Sequence, residues 1–250
     1  MSDKASSPCC PTTAWGKIIE MEKEPTKGQD ISVSDKKIPA YFSDADDSKK
    51  GIVVFPDVWG ITNRVRVIAD TFAAEGYKVL VIDCYYGDTI DKTPDLMEFL
   101  GKYPYEKISD EIQASFDFFV SKGVEKDNVS ALGFCWGGWA IAKSASEGVE
   151  WKCAVSPHPS TKIEVFIFQR DEAEMLGKCN MPFFLMPAGD DDDIIKPGSD
   201  VVDKLVEKGG KSIPFPSMNH GWTSRGDESV KDEIVKAFKL ATEFFNEKTA

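Results

Sequence analysis

The spacing of apolar positions changes along the chain, and each change marks an element. The first fifty residues alternate in three short stretches, Gly16–Glu22, Asp30–Val33 and Lys37–Phe42, separated by polar turns, which predicts an antiparallel β prelude. From Gly51 the pattern switches. Gly51–Pro56 (GIVVFP) and Lys78–Asp83 (KVLVID) are short unbroken apolar runs, as parallel strands buried on both faces require. Between them Asn63–Ala74 carries Val65, Ile68 and Phe72 at helical spacing, and Gly76 ends it.

Tyr105–Val120 is the plainest helix, with Ile108, Ile112, Phe116 and Phe119 in one stripe and acidic residues opposite. There follow strand Val129–Phe134, a helix from Trp136, strands Lys152–Ser156 and Phe183–Ala188, helix Asp200–Lys208 and strand Lys211–Phe215. A closing helix carries Val230, Ile234, Phe238, Ala241 and Phe245 on one side. Strands alternating with helices predict an α/β fold: a mostly parallel sheet, right-handed crossovers and helices on both faces. Ligands of such sheets bind at the carboxyl ends of the strands, so the residues just after each strand are the candidates for chemistry.

Composition narrows the function classes. A length of 250 residues suits one α/β domain, expected over residues 16–250 behind a short tail, 1–15. The net charge of −12 argues against nucleic acid or an anionic membrane surface as partner, since both are met with clustered Lys and Arg. No run approaches the roughly 20 apolar residues of a membrane span, and Met1 to Gly16 lacks a leader pattern. Six cysteines (9, 10, 84, 135, 153 and 179) are scattered, several inside strand-like runs, which fits a reducing, cytoplasmic compartment rather than a disulfide framework. Cys9-Cys10 reads as a pair of free thiols in the tail, with metal binding or oxidation as the other readings.

One strand end carries chemistry. Val129-Ser-Ala-Leu-Gly133-Phe-Cys135-Trp-Gly137-Gly138 runs from a strand through Gly-x-Cys-x-Gly-Gly into a helix. This is the nucleophile elbow of α/β-hydrolases with cysteine in place of serine. The glycines are needed because side chains two residues either way from the strained nucleophile would meet the neighbouring strand and helix. The turn also sets Cys135 at a helix N-terminus, where backbone N–H groups favour a thiolate. Cys84, Cys153 and Cys179 read as packing or loop residues.

The chain has two histidines. His220 lies in Ser217-Met-Asn-His-Gly221-Trp222, between the last predicted strand and the last helix, where an imidazole can reach Cys135. His158, between two prolines after the strand that follows the nucleophile, reads as pocket wall or substrate contact, or as a structural residue. Assigning His220 as base gives the chain order nucleophile, acid, base that the fold uses. The acid is expected after Phe183–Ala188, where Asp190-Asp191-Asp192-Asp193 stand in a row. An orienting carboxylate there would hold the imidazole tautomer. Counting from Pro182 favours Asp191 and counting back from Pro197 favours Asp193; the expectation taken forward is Asp191.

Gly-Phe-Cys-Trp-Gly-Gly, the Asp-rich turn and His-Gly-Trp-x-x-Arg-Gly-Asp together resemble the dienelactone hydrolase (carboxymethylenebutenolidase) family of the α/β-hydrolase superfamily, from about Gly51 onward. The resemblance implies an α/β-hydrolase fold and hydrolysis of small esters or lactones through a thioester. It also aligns Phe55-Pro56-Asp57-Val58-Trp59-Gly60 with the family's oxyanion loop, with Asp57 where the bacterial enzymes carry Glu. By that resemblance Asp57 would interact with the resting thiol, and the N–H groups of Val58 and Trp136 would form the oxyanion hole. The bacterial enzymes hold a substrate carboxylate with two arginines. Arg225 supplies one, displaced by a residue, but Cys84-Tyr-Tyr-Gly-Asp88 offers aromatics and an acid where the other is expected. That departure weakens the case for the dienelactone itself as substrate.

The partner expected is therefore a small-molecule ester or lactone, met by a monomer or small homo-oligomer with no cofactor and no metal. The segment between the strands ending near Ser156 and beginning near Phe183 is too short for a large cap. The loop Cys84–Pro104 and the segment Pro157–Gly177 are expected to roof a shallow pocket. A protein of another class, keeping the elbow for reversible oxidation of Cys135 without turnover, is the alternative. A serine esterase would need Gly-x-Ser-x-Gly, which the sequence lacks.

Overall fold

A computed structural model describes residues 15–23, 25–93 and 95–250. Cys9-Cys10 lies outside the described residues. Eight strands form one sheet: β1 (Gln29–Val33), β2 (Ile38–Ser43), β3 (Gly51–Phe55), β4 (Lys78–Ile82), β5 (Val129–Gly133), β6 (Ala154–Pro157), β7 (Phe183–Met186) and β8 (Lys211–Ser212). Their order is β1-β2-β4-β3-β5-β6-β7-β8, with β2 antiparallel to both neighbours and every later pair parallel. This is the α/β-hydrolase architecture.

The central strands are buried on both faces because their side chains alternate between two cores. Val53, Phe55, Leu80 and Ile82 join one, while Ile52, Val54, Val79 and Val81 join the other. Helix α4 (Tyr105–Ser121) lays Ile108, Ile112, Phe116 and Phe119 on the first face. Burying each contributes roughly 1.5–3 kcal/mol. Helices α2 (Asn63–Ala74) and α10 (Lys231–Lys248) cover the second face through Phe72, Phe238 and Phe245. The Thr62 side chain caps α2 by accepting from the Val65 N–H.

Two expectations change. Gly16–Glu22 is not a strand: Ile18–Met21 forms a short helix, α1. Trp15, Ile18 and Ile19 stand at the i, i+3, i+4 spacing of a helix face, and Trp15 stacks on Phe238 at 4.6 Å and meets Phe72 edge-on at 4.9 Å. Trp15 is thus packed into the core rather than belonging to a tail. The last strand is shorter than Lys211–Phe215 and ends at Ser212, ahead of Pro214. Ile213 and Phe215 still donate to the Leu185 and Pro187 carbonyls, at 3.0 and 2.8 Å.

Between α2 and α4, helix α3 (Leu96–Gly101) starts at Asp95, whose carboxylate accepts from the Glu98 N–H. Helix α5 (Trp136–Ser146) follows β5. Helices α6 (Ile163–Phe166) and α7 (Glu172–Lys178) fill the β6–β7 connection, so no large cap is present there. Helix α8 (Asp200–Glu207) precedes β8, and α9 (Trp222–Arg225) precedes α10. No described helix is long and apolar enough to cross a membrane.

Candidate active site

Strand β5 ends at Gly133, and Cys135 stands at the turn into α5 with φ 53° and ψ −114°. A non-glycine residue at positive φ is strained, and here the surroundings hold it. A side chain at Gly137 would press into the Phe55 carbonyl, and one at Gly138 into Ser156 and Pro159. The Ser156 hydroxyl fixes the strand end by donating to the Gly133 carbonyl at 2.6 Å. Gly137→Ala is therefore expected to cost about 3 kcal/mol or more through overpacking against backbone. A urea midpoint equal to that of the parent would contradict the packing described.

His220, Asp191 and Cys135 meet at one edge of the sheet. The His220 Nδ1–H donates to Asp191 Oδ1 at 2.6 Å. Asp191 is buried, and its other oxygen accepts from the Ala188 N–H at 2.7 Å, which fixes the carboxylate. The rest of the aspartate run points elsewhere. Asp190 accepts from the His220 backbone N–H at 2.7 Å, Asp192 faces Lys162 at 3.6 Å, and Asp193 is exposed beside Lys196. Burial resists protonation of His220, but the Asp191 hydrogen bond and the proximity and charge of Cys135 outweigh it and raise its pKa to about 10.

The thiol contact is not the expected one. Cys135 Sγ lies 3.3 Å from Ser160 Oγ, which in turn lies 3.3 Å from His220 Nε2. No hydrogen bond joins Asp57 to Cys135. Asp57 instead accepts from the Trp59 N–H at 2.9 Å and from the Ser224 hydroxyl at 2.8 Å. Its short side chain shapes the loop that carries Val58 and ties it to α9. Burial pushes the Asp57 carboxyl above the usual carboxylate range, against those hydrogen bonds and the nearby Arg225 and His220 charges.

Val58 lines the same pocket as Cys135, and Trp136 follows Cys135 as the first residue of α5. The Val58 carbonyl accepts from the Ile90 N–H at 3.0 Å, which holds the peptide that follows Val58, and neither the Val58 N–H nor the Trp136 N–H has an acceptor among the described residues. His158 does not line the pocket. Its backbone, at φ 39°, turns the ring beneath the site, where it is 0% exposed and 2.7 Å from Thr223 Oγ1. There it packs edge-on to His220 with ring centroids 5.0 Å apart. Burial, with the His220 charge adding, holds its pKa well below the ordinary imidazole value.

A pocket of about 390 Å³ opens over Cys135, Ser160 and His220, walled by Val58, Trp59 and Leu96, with Arg225 and Lys162 also lining it. Leu96 and Lys162 come from the two segments expected to roof it. The Arg225 guanidinium stacks on the Trp59 ring at 4.0 Å and forms no ion pair among the described residues. A cavity of about 410 Å³ near Lys27, Phe42 and Asp70 has similar size. Its lining has no cysteine and no histidine, and Asp70 there is taken up by Tyr41, Ser43 and the backbone of Lys27 and Gly28. No described cluster of three His, Cys, Asp or Glu side chains could hold a metal.

Ser160 has no sequence signal of its own, although it lies in the loop that follows β6, at the edge where chemistry is sought. The other described thiols are buried: Cys153 is pushed up to about 11 and Cys179 to about 12 by burial, and Cys84 is raised well above the ordinary thiol value for the same reason. Cys135, partly exposed, is the reachable one among the described cysteines.

Comparisons with known proteins bear on the family and the fold. The model of the dienelactone hydrolase family matches residues 38–249. The human carboxymethylenebutenolidase homolog is 26% identical over 236 residues, covering 88% of this chain and 90% of that protein. Hydrolase tropI of Talaromyces stipitatus is 23% identical, with the same coverage of both chains. In structure, a Klebsiella pneumoniae protein assigned as a dienelactone hydrolase superposes with a TM-score of 0.70 at 16% identity, over 89% of this chain and 98% of its own. That last likeness speaks to the fold.

Proposed function

The chain belongs to the dienelactone hydrolase family, and on that premise we propose that it cleaves small esters or lactones by attack of Cys135, with His220 as base and Asp191 as its orienting acid. The observation that carries this reading is the 2.6 Å Asp191–His220 hydrogen bond ending at a pocket whose floor is the strained Cys135. The thiol gives its proton to His220, and the sulfur attacks the carbonyl carbon. Negative charge on the carbonyl oxygen is met by the Val58 and Trp136 N–H groups. Collapse expels the alkoxide, which takes the proton from the imidazolium and leaves a thioester on Cys135. Water, deprotonated by His220, then attacks the thioester carbonyl; the C–S bond breaks, the acid leaves, and the Cys135 thiolate takes back the proton from the imidazolium.

Hydrolysis of p-nitrophenyl acetate should disappear in step with alkylation of Cys135 by iodoacetamide. Peptide mass mapping scores Cys135 apart from Cys9 and Cys10. Full activity with Cys135 alkylated would contradict the reading.

The substrate class follows from the pocket's cations. Arg225, stacked on Trp59 and unpaired by a carboxylate, would anchor a carboxylate near the scissile carbonyl. Arg225→Ala is expected to raise KM for carboxylated lactones by about tenfold or more, as for a charged hydrogen bond of roughly 1.5–3 kcal/mol. Neutral esters should be nearly unaffected. Equal losses for both classes would make Arg225 a structural brace.

A further inference from the structure

From the position of one hydroxyl we infer that Ser160 is the third member of the proton path, a hydroxyl bridge between the Cys135 thiol and the His220 imidazole. The inference rests on the reading of Cys135 as nucleophile and His220 as base. Ser160 Oγ lies 3.3 Å from both Cys135 Sγ and His220 Nε2. Nothing else in the mechanism uses it.

Its backbone cannot drift. Ser160 N–H donates to the Cys135 carbonyl at 2.9 Å, Pro159 forms a β-bridge with Cys135, and the Ser160 carbonyl accepts from the Ile163 N–H at 3.1 Å. Pro157 and Pro159 stiffen the approach from β6. The main chain that carries the side chain is held by the same backbone that holds the nucleophile, and the hydroxyl proton is free to turn between its two neighbours.

A hydroxyl suits this place because it satisfies both protonation states of the pair. With neutral partners, Sγ–H donates to Oγ and Oγ–H donates to Nε2. With charged partners, Oγ–H donates to the thiolate and accepts from Nε2–H. Conversion is balanced: the S–H bond breaks and leaves its electron pair on sulfur, an O–H bond forms, the original O–H bond breaks, and an N–H bond forms. The hydroxyl is unchanged, and the charged state gains a charge-assisted hydrogen bond at each end.

The charged and titratable groups facing the pair are Asp57, Asp190, Asp191, Lys162, Arg225 and the buried His158. Tyr85 lies buried behind them, and burial raises its phenol well above its ordinary value, with the Cys135 charge adding. Replacing Ser160 leaves all of these in place, so a change in the thiol's titration would belong to the hydroxyl.

The test compares Ser160→Thr with Ser160→Val, which match in shape and differ in the hydroxyl, alongside Ser160→Ala. Iodoacetamide alkylation of Cys135 across pH reads the thiolate, and p-nitrophenyl acetate kinetics read turnover. Ser160→Val and Ser160→Ala should move the alkylation midpoint up by about one pH unit and lower kcat by about tenfold or more, with KM little changed. Ser160→Thr should restore most of both. Identical Thr and Val behaviour, or a kcat loss with an unmoved alkylation midpoint, would overturn the bridge. The parent protein separates the two levels: if alkylating Cys135 leaves parent activity intact, the nucleophile reading fails whatever Ser160 does.

Discussion

Cys135→Ala is expected to lower kcat/KM for p-nitrophenyl acetate by roughly ten-thousand-fold or more, the scale of loss when a nucleophile is deleted from such a constellation. The reaction needs an atom that can hold the acyl group, and alanine has none. The fold should stay, because Cys135 is only partly buried and its turn is fixed by neighbours. Alanine has the same backbone restriction as cysteine, so the strained φ is no harder to reach. Stability should change by at most about 1 kcal/mol, the ordinary range for a site without core burial. Cys135→Ser should be slow rather than dead, since a hydroxyl must be deprotonated by His220 at the moment of attack. Parent-level turnover by the alanine variant would end the account.

Asp191→Asn comes next in size, with kcat expected to fall roughly 100- to 10,000-fold. The carboxylate accepts the Nδ1 proton at 2.6 Å and leaves Nε2 facing the thiol side. Asparagine removes the charge that stabilises the imidazolium and can present an N–H where an acceptor is required. The titration should follow. His220 is raised from 6.5 to about 10, so its contribution to stability is full below 6.5 and is lost as pH rises through about 10. Without the Asp191 carboxylate, burial acts with less opposition and the His220 titration moves down, a shift that NMR of the imidazole protons would record. Urea stability should then depend less on pH between 7 and 10. Asp190→Asn should do little, because the amide oxygen can still accept from the His220 N–H. A loss that follows Asp193→Asn instead would contradict the assignment, since Asp193 is exposed beside Lys196.

Much of this site was legible because backbone crowding leaves a mark on sequence. Gly137 and Gly138 face the Phe55 carbonyl, Ser156 and Pro159, so glycine is required and Cys135 is flagged between fixed points. The parallel strands were readable for a similar reason: burial on both faces demands unbroken apolar runs. The count from Pro182 reaches the aspartate that meets His220, although β7 itself ends at Met186, short of the end of its apolar run. Other features depended on contacts between distant segments. The helix at Ile18 was read as strand because a short run, KIIEM, carries too few positions to tell the two periods apart. Ser160 is placed by the bridge between Pro159 and Cys135, residues far apart in sequence. His158 sits at a strand end like a pocket residue, and only its positive φ turns the ring inward. Asp57 lines the pocket, but the Trp59 and Ser224 hydrogen bonds, invisible in a motif, draw its carboxylate away from the thiol.

The most direct test of a cysteine nucleophile is to catch the acyl-enzyme. The protein would be mixed with excess p-nitrophenyl acetate, quenched in acid during turnover, digested and mapped by mass spectrometry. The account predicts an acetyl group on the peptide carrying Cys135, released by hydroxylamine as a thioester is, and absent from Cys135→Ala. Turnover with Cys135 unmodified and the acetyl group on another residue would contradict it.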